Sequence, residues 1–280
     1  MTPAVMSARR AGARVPAATA LPLLFVSLVA LQGCDVVTAD LKHSETAEWR
    51  KTYELSPGGR VEINNVNGRI DVEPSAGNTV EVVAQKLAKA TTPAAAKEAL
   101  ERIEIREEVS PSTVQKESVS ISTRLPRGGG WFDMGGAQVK YSVRVPAGAE
   151  VKFTTVNGGV SVTGLSGRVT AETTNGGVVA REISGTIDAS TTNGGVDVEL
   201  ARLGEGGAKL GCTNGGIKLR LPADAKASIS ASVTNGGIDT SGLSIETTQS
   251  SRRRLEGRLN GGGAPIQIEG TNGGIRIGPR

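Results

Sequence analysis

Histidine is nearly absent: His43 is the only one in 280 residues. That excludes Ser-His-Asp and Cys-His triads and histidine-rich metal centres. Aromatic residues are equally scarce, at 2% of the chain. A sandwich or barrel of this length normally buries several large rings, so the core must be narrow and built from Val, Ile, Leu, Ala and Thr. No G-x-x-x-x-G-K-[ST] phosphate loop is present. There are two cysteines, Cys34 and Cys212. Charge of one sign is lacking too. Arg9, Arg10 and Arg14 lie in an N-terminal stretch with no acid, and without them the 32 Lys+Arg nearly balance the 28 Asp+Glu. The one basic run, Arg252-Arg253-Arg254, has no aromatics around it and reads as a solvated loop; no nucleic-acid partner is expected. What is abundant is glycine, 38 residues against 12 prolines, which points to many tight turns.

The first 33 residues have the plan of a secretory signal. A basic start is followed by the apolar run Leu21–Leu31, too short to span a bilayer comfortably. It ends in Leu31-Gln32-Gly33-Cys34, which resembles a bacterial lipobox. The resemblance implies that the Cys34 thiol is acylated and becomes the new N-terminus. Two or three acyl chains make a stable anchor where one does not. The expected organisation is therefore 1–33 signal peptide, 34–52 lipidated polar tether and 53–280 folded domain. The expected location is the cell envelope, lipid-anchored to a bacterial membrane, inner or outer.

The domain is repetitive. Asn-Gly followed by Gly or Arg and then Val or Ile occurs at Asn67, Asn157, Asn175, Asn193, Asn214, Asn235 and Asn272, and the spacings from Asn157 to Asn235 are 18, 18, 21 and 21 residues. At each station, apolar or small residues stand six, four and two positions before the Asn and three and five after it. Ile187, Ala189, Thr191, Val196 and Val198 around Asn193 are one instance. Alternation on both sides of a glycine turn makes each station strand–turn–strand with one buried face. Asn260 fails the test, because Arg254, Glu256 and Arg258 occupy the inward offsets. Ser166-Gly167 and Ser184-Gly185 mark a second turn nine residues after an Asn, so 18 residues complete one coil. The pattern predicts an all-β, parallel β-solenoid of ~18–21-residue coils with Asn-Gly-Gly turns. A chain of separate hairpins is the rival. In the solenoid the Asn side chains form a ladder, with Asn272, near the chain end, as a terminal rung. Cys212 occupies an inward column with Thr173, Thr191 and Val233 and is expected to be buried and inert.

Between Asn67 and Asn157, Val80–Gln85, Arg102–Val109, Ser118–Thr123 and Val139–Val145 alternate like strands. Thr92-Pro93 followed by an Ala-rich run to Glu101 predicts one short helical insert, capped by Thr92 and covering an end or edge of the sheet. A Gly-rich loop carries Trp131 and Phe132, which either contact a partner or cover the core. Taken together, Asn65-Val66-Asn67-Gly68, the helical insert, Tyr141–Pro146, the serial Asn-Gly-Gly stations and Asn260–Gly263 resemble the bacterial "putative adhesin" β-solenoid family over roughly 54–277. The resemblance implies a β-solenoid with an adhesive role and assigns no residue a task.

Function is narrowed accordingly. A calcium β-roll needs a carboxylate at every turn. Asp197 and Asp239 fit, but Ser161, Val179, Lys218 and Arg276 stand at the equivalent places. A polysaccharide-acting enzyme on a parallel β-helix needs paired acids on one outer face, and outward residues read mainly as Ser and Thr. The expectation is a non-catalytic module without metal or cofactor. It contacts the membrane through its anchor, and an envelope glycan or protein through its exposed faces or the Trp131 loop. A stress-sensing scaffold is the further alternative.

Overall fold

The computed structural model describes residues 41–110, 117–126, 136–240 and 242–280. Cys34, the N-terminal stretch read as a signal peptide, and Trp131 and Phe132 lie outside the described residues. The described residues form one packed unit. It is a β-solenoid, built as two facing sheets with a single short helix among the described residues.

Each Asn-Gly station supplies one strand to each sheet. In one sheet, Glu150–Asn157, Val169–Asn175, Ile187–Asn193 and Ala208–Asn214 stack in parallel, with Asn157, Asn175, Asn193 and Asn214 in register. In the other, Val178 pairs with Val196 and Val196 with Ile217. Inward positions are the apolar columns: Val169, Ala171, Ile187, Ala189, Val196 and Val198 are all at most 1% exposed. The scarcity of rings is met by a thin core in which Tyr141 and Phe153 are the largest fully buried side chains. The Tyr141 hydroxyl is paired with Thr123 Oγ1 at 2.7 Å, and burial pushes its pKa up to about 12.

The inward threonines have a polar task that the columns alone do not show. Thr173 Oγ1 donates to Gly158 O and Thr191 Oγ1 to Gly176 O, both at 2.8 Å. Each ties its coil to the glycine turn of the preceding one and satisfies a hydroxyl that would otherwise be costly to bury. Cys212 takes the same place, with its Sγ 3.2 Å from Gly194 O. It is 5% exposed, and burial pushes its thiol pKa up. A thiol reagent is therefore expected to modify Cys212 slowly in the native protein and within minutes in denaturant. Equal rates in a time course would show that the strand register is wrong by one residue.

Chain order and stacking order differ at both ends of the solenoid. The Asn67 coil lies between Ser118–Arg124 and Glu150–Asn157 in one sheet, and between Ala137–Pro146 and Val160–Thr163 in the other. The Asn272 coil, Ala264–Asn272 with Ile275–Pro279, sits between the Asn214 and Asn235 coils. Asn272 is thus an interior rung and Asn235 an outer one, which corrects the expectation drawn from chain order. Apolar content explains the arrangement. Ile266, Ile268, Ile275 and Ile277 are at most 2% exposed, whereas Ile238 of the outer coil is only partly buried. The coil with four isoleucines gains most from neighbours on both sides.

Antiparallel strands close the stack. Ile245–Ser250 and Arg254–Leu259 extend one sheet beyond Ala227–Asn235. At the opposite end, His43–Glu54 pairs with Thr79–Ala90 and Glu104–Ser110 with Ser118–Arg124. The polar stretch read as a tether to residue 52 therefore contributes an edge strand from His43 onward. Its sequence misleads because an edge strand exposed on most of its length lacks the apolar alternation of its neighbours. The two edges are bridged by Tyr53, whose hydroxyl donates to Glu107 Oε2 at 2.6 Å. The helix, Pro93–Glu101, begins at Thr92, whose Oγ1 accepts from Ala95 N at 3.2 Å. It packs on the strands His43–Glu54 and Thr79–Ala90 at this end.

Candidate functional site

The structure brings all seven repeat asparagines into one row. Asn67 Nδ2 donates to Ala137 O at 3.2 Å, and each other Nδ2 donates to the Oδ1 of its neighbour: Asn157 to Asn67 at 2.7 Å, Asn175 to Asn157 at 2.9 Å, Asn193 to Asn175 at 2.8 Å and Asn214 to Asn193 at 2.9 Å. Asn272 to Asn214 at 2.8 Å and Asn235 to Asn272 at 2.9 Å complete it. Apart from Asn67, these side chains are exposed. The left-handed backbone at the turn belongs to the following glycine and not to the asparagine: Gly158, Gly194, Gly215 and Gly273 have φ of 152°, 147°, 148° and 139°. The row is a surface seam that fixes coil register. Asn193→Ala and Asn272→Ala, both interior, are expected to cost about 0.5–1.5 kcal/mol each, and Asn235→Ala less. Denaturant melts of the three variants check the order. An Asn272 variant as mild as the Asn235 one would contradict the stacking.

A groove of about 900 Å³ runs beside this seam along the stacking direction. Its floor is the second glycine of five of the seven stations: Gly177, Gly195, Gly216, Gly274 and Gly237, in spatial order. At the Asn67 coil the same column is filled by Arg69, which pairs with Asp71. The floor carbonyls are consumed by the solenoid itself, since Val178 N donates to Gly195 O, Val196 N to Gly216 O, Ile217 N to Gly274 O and Ile275 N to Gly237 O at 2.9–3.0 Å. The wall carries Val179, Asp197, Lys218, Arg276 and Asp239, and Arg252 closes the Gly237 end with its Nε 3.8 Å from where a Gly237 Cβ would stand.

Most of these charges are already engaged. Arg181 holds Asp197 with two hydrogen bonds of 3.0 and 2.8 Å, and Arg220 lies 3.4 Å from the same carboxylate. Burial opposes the ionisation of Asp197, yet the Arg181 hydrogen bonds, followed by the charges of Arg181, Arg220 and Lys218, outweigh it and hold the carboxyl below its usual range. Arg220 and Arg280 both bind Glu199 at 3.0 Å, Arg280 also reaches Glu182, and Arg276 pairs with Asp239 at 3.3 Å. Lys218 and Arg252 make no ion pair among the described residues. Asp197 and Asp239 are thus both paired with arginines. Among the described residues no group of three or more His, Cys, Asp or Glu could hold a metal ion. Nor does any described helix have the length and apolarity to cross a membrane.

The asparagine row was visible in the sequence, whereas the groove was missed. Its signal was present at offsets two and four after each Asn, where glycines and then Val179, Asp197, Lys218, Arg276 and Asp239 stand. In the sequence alone those positions suggest at most calcium ligands, and the outward faces elsewhere are mainly Ser and Thr. Arg252 belongs to the run read as a solvated loop. It is exposed, but it also ends the groove.

The family model described as Toastrack DUF4097 matches residues 50–278. No curated protein matches the chain. Among solved structures, a putative cell adhesion protein from Clostridium sporogenes ATCC 15579 is 14% identical. It covers 84% of this chain and 100% of that one, with a TM-score of 0.49. A putative adhesin from Bacteroides fragilis NCTC 9343 is 9% identical, over 82% of this chain and 97% of that one, with a TM-score of 0.31. A putative adhesin from Parabacteroides distasonis ATCC 8503 is 12% identical over the same shares, with a TM-score of 0.21.

Proposed function

The chain belongs to the Toastrack DUF4097 family, and on that premise we propose that it is a non-catalytic binding module of the bacterial envelope, anchored through lipidated Cys34. The observation that carries the binding reading is the glycine-floored groove. It crosses five coils of a scaffold whose register is pinned by the asparagine seam, so its shape is set before any ligand arrives. A solenoid presents such a surface without hinge or lid, which suits holding an extended partner rather than turning it over. The lipobox at Leu31–Cys34 supports the anchor, because a thiol carrying diacylglycerol retains the protein at a membrane.

Two measurements test this. The full chain in detergent micelles, titrated against soluble envelope polysaccharides and proteins, should bind at least one saturably and leave it chemically unchanged. Chain cleavage of a bound polymer would overturn the non-catalytic reading, and the absence of any saturable binding would overturn the module reading. Separately, Cys34→Ala should abolish acyl labelling and move most of the protein from the detergent phase to the aqueous phase. An alanine variant that partitions like the wild type would end the anchor proposal.

A further inference from the structure

We propose that the groove binds a linear acidic polysaccharide, with the ring faces on the glycine floor and the carboxylates held by Lys218 and Arg252. The inference rests on the binding-module reading above and names its ligand class.

The charge balance comes first. Of the five charged groups in the groove, Asp197 is already held by Arg181 and Arg220, and Arg276 is paired with Asp239. Lys218 and Arg252 are left as cations without an ion pair among the described residues, and both line the groove. An anion placed there meets Arg252 and Lys218, neither in an ion pair although Lys218 adds to the field on Asp197, while both carboxylates of the groove are paired with arginines.

The shape then selects among anions. Five stacked glycines at about 4.8 Å per coil give a floor roughly 20 Å long, enough for several linked rings and far longer than a single small anion needs. The floor offers Cα hydrogens and peptide planes, since its carbonyls are bonded to the next coil. An extended peptide would find no free carbonyl acceptors along the floor, so strand addition is disfavoured. A single-stranded nucleic acid would find no aromatic side chain for its bases and only two available cations. Flat, C–H-rich pyranose faces need neither. A side chain at any floor position would obstruct the track, as Arg69 does at the Asn67 coil.

The test uses the full chain in detergent micelles with three probes: an oligogalacturonate, the same oligomer fully methyl-esterified, and inorganic polyphosphate of similar length. The acidic oligomer should bind saturably, with affinity falling as salt is raised. Lys218→Ala with Arg252→Ala should weaken it at least tenfold, while Lys209→Ala on the other sheet should leave it unchanged. Gly216→Leu should block it, because no atom lies closer than 3.6 Å to a Cβ at Gly216, so the fold tolerates the side chain while the groove does not. Thermal melts confirm that each variant is folded. Equal binding of the esterified oligomer, abolished by Gly216→Leu, would overturn the acidic specificity and leave the groove as a binding site. Equal or tighter binding of polyphosphate would overturn the sugar assignment. Binding of the acidic oligomer untouched by Gly216→Leu, or no binding at all, would overturn the proposal.

Discussion

Gly194→Ala is expected to prevent stable folding, whereas Gly195→Ala beside it should be close to neutral. A Cβ at Gly194 would overlap the carbonyl oxygen of Gly176 in the preceding coil, and the backbone there has φ of 147°, which L side chains rarely adopt. The clash cannot relax by rotating a side chain, because both partners are main chain and both coils are locked in register. Strain and overpacking together place the cost at roughly 3–5 kcal/mol, a large share of the stability of a domain. At Gly195 the nearest atom to a Cβ is Gly216 O at 3.5 Å, which is ordinary contact. Soluble yield and denaturant melts of the two variants check the contrast. Two variants of similar stability would mean that the coils do not approach as described.

The other large effect is expected from Ile187→Asp. Ile187 is 1% exposed and faces Val169 and Ala208 in its column, so an aspartate there is a buried carboxylate with no partner. A loss of about 4 kcal/mol or more is expected, partly moderated if the carboxyl protonates. Asp188→Ala removes an outward side chain between Thr170 and Lys209 and should change stability by less than about 0.5 kcal/mol. Chemical denaturation of both variants decides the matter, and comparable losses would reject the alternation.

Most of the repeat was legible because local chemistry and global packing agree in it. Val178, Val196, Ile217 and Ile275 stand at one offset and pack in one column, and Thr92-Pro93 opens the helix where capping rules place it. Three features were hidden for separate reasons. Stacking order is not a local property: Asn272 follows Asn235 in the chain, yet the isoleucines around it win the interior place. His43–Glu54 is an edge strand whose solvation erases the periodicity that marks a buried one. The groove depends on what glycine omits at one offset and on the pairings of Asp197 and Asp239, so neither half of the signal is visible in a single station. The proposed anchor rests on a motif alone, since Leu31–Cys34 would owe its meaning to a processing enzyme rather than to packing.

The placement of the Asn272 coil between the Asn214 and Asn235 coils bears on how the protein assembles during synthesis. A solenoid whose coils add in chain order can grow from its first turn as the polypeptide emerges, each repeat docking on a finished neighbour. Here the coil carrying Ile266, Ile268, Ile275 and Ile277 has to enter a gap whose far wall, Ala227–Asn235, precedes it in the sequence. Until it does, that wall has no parallel partner and an unpaired edge faces solvent. Completing the stack is therefore expected to need a late insertion rather than simple propagation, with a long loop closed before its contacts form. A nascent chain stopped short of Ala264 would present a split stack with two unpaired edges, so the last coil is the keystone of the assembly.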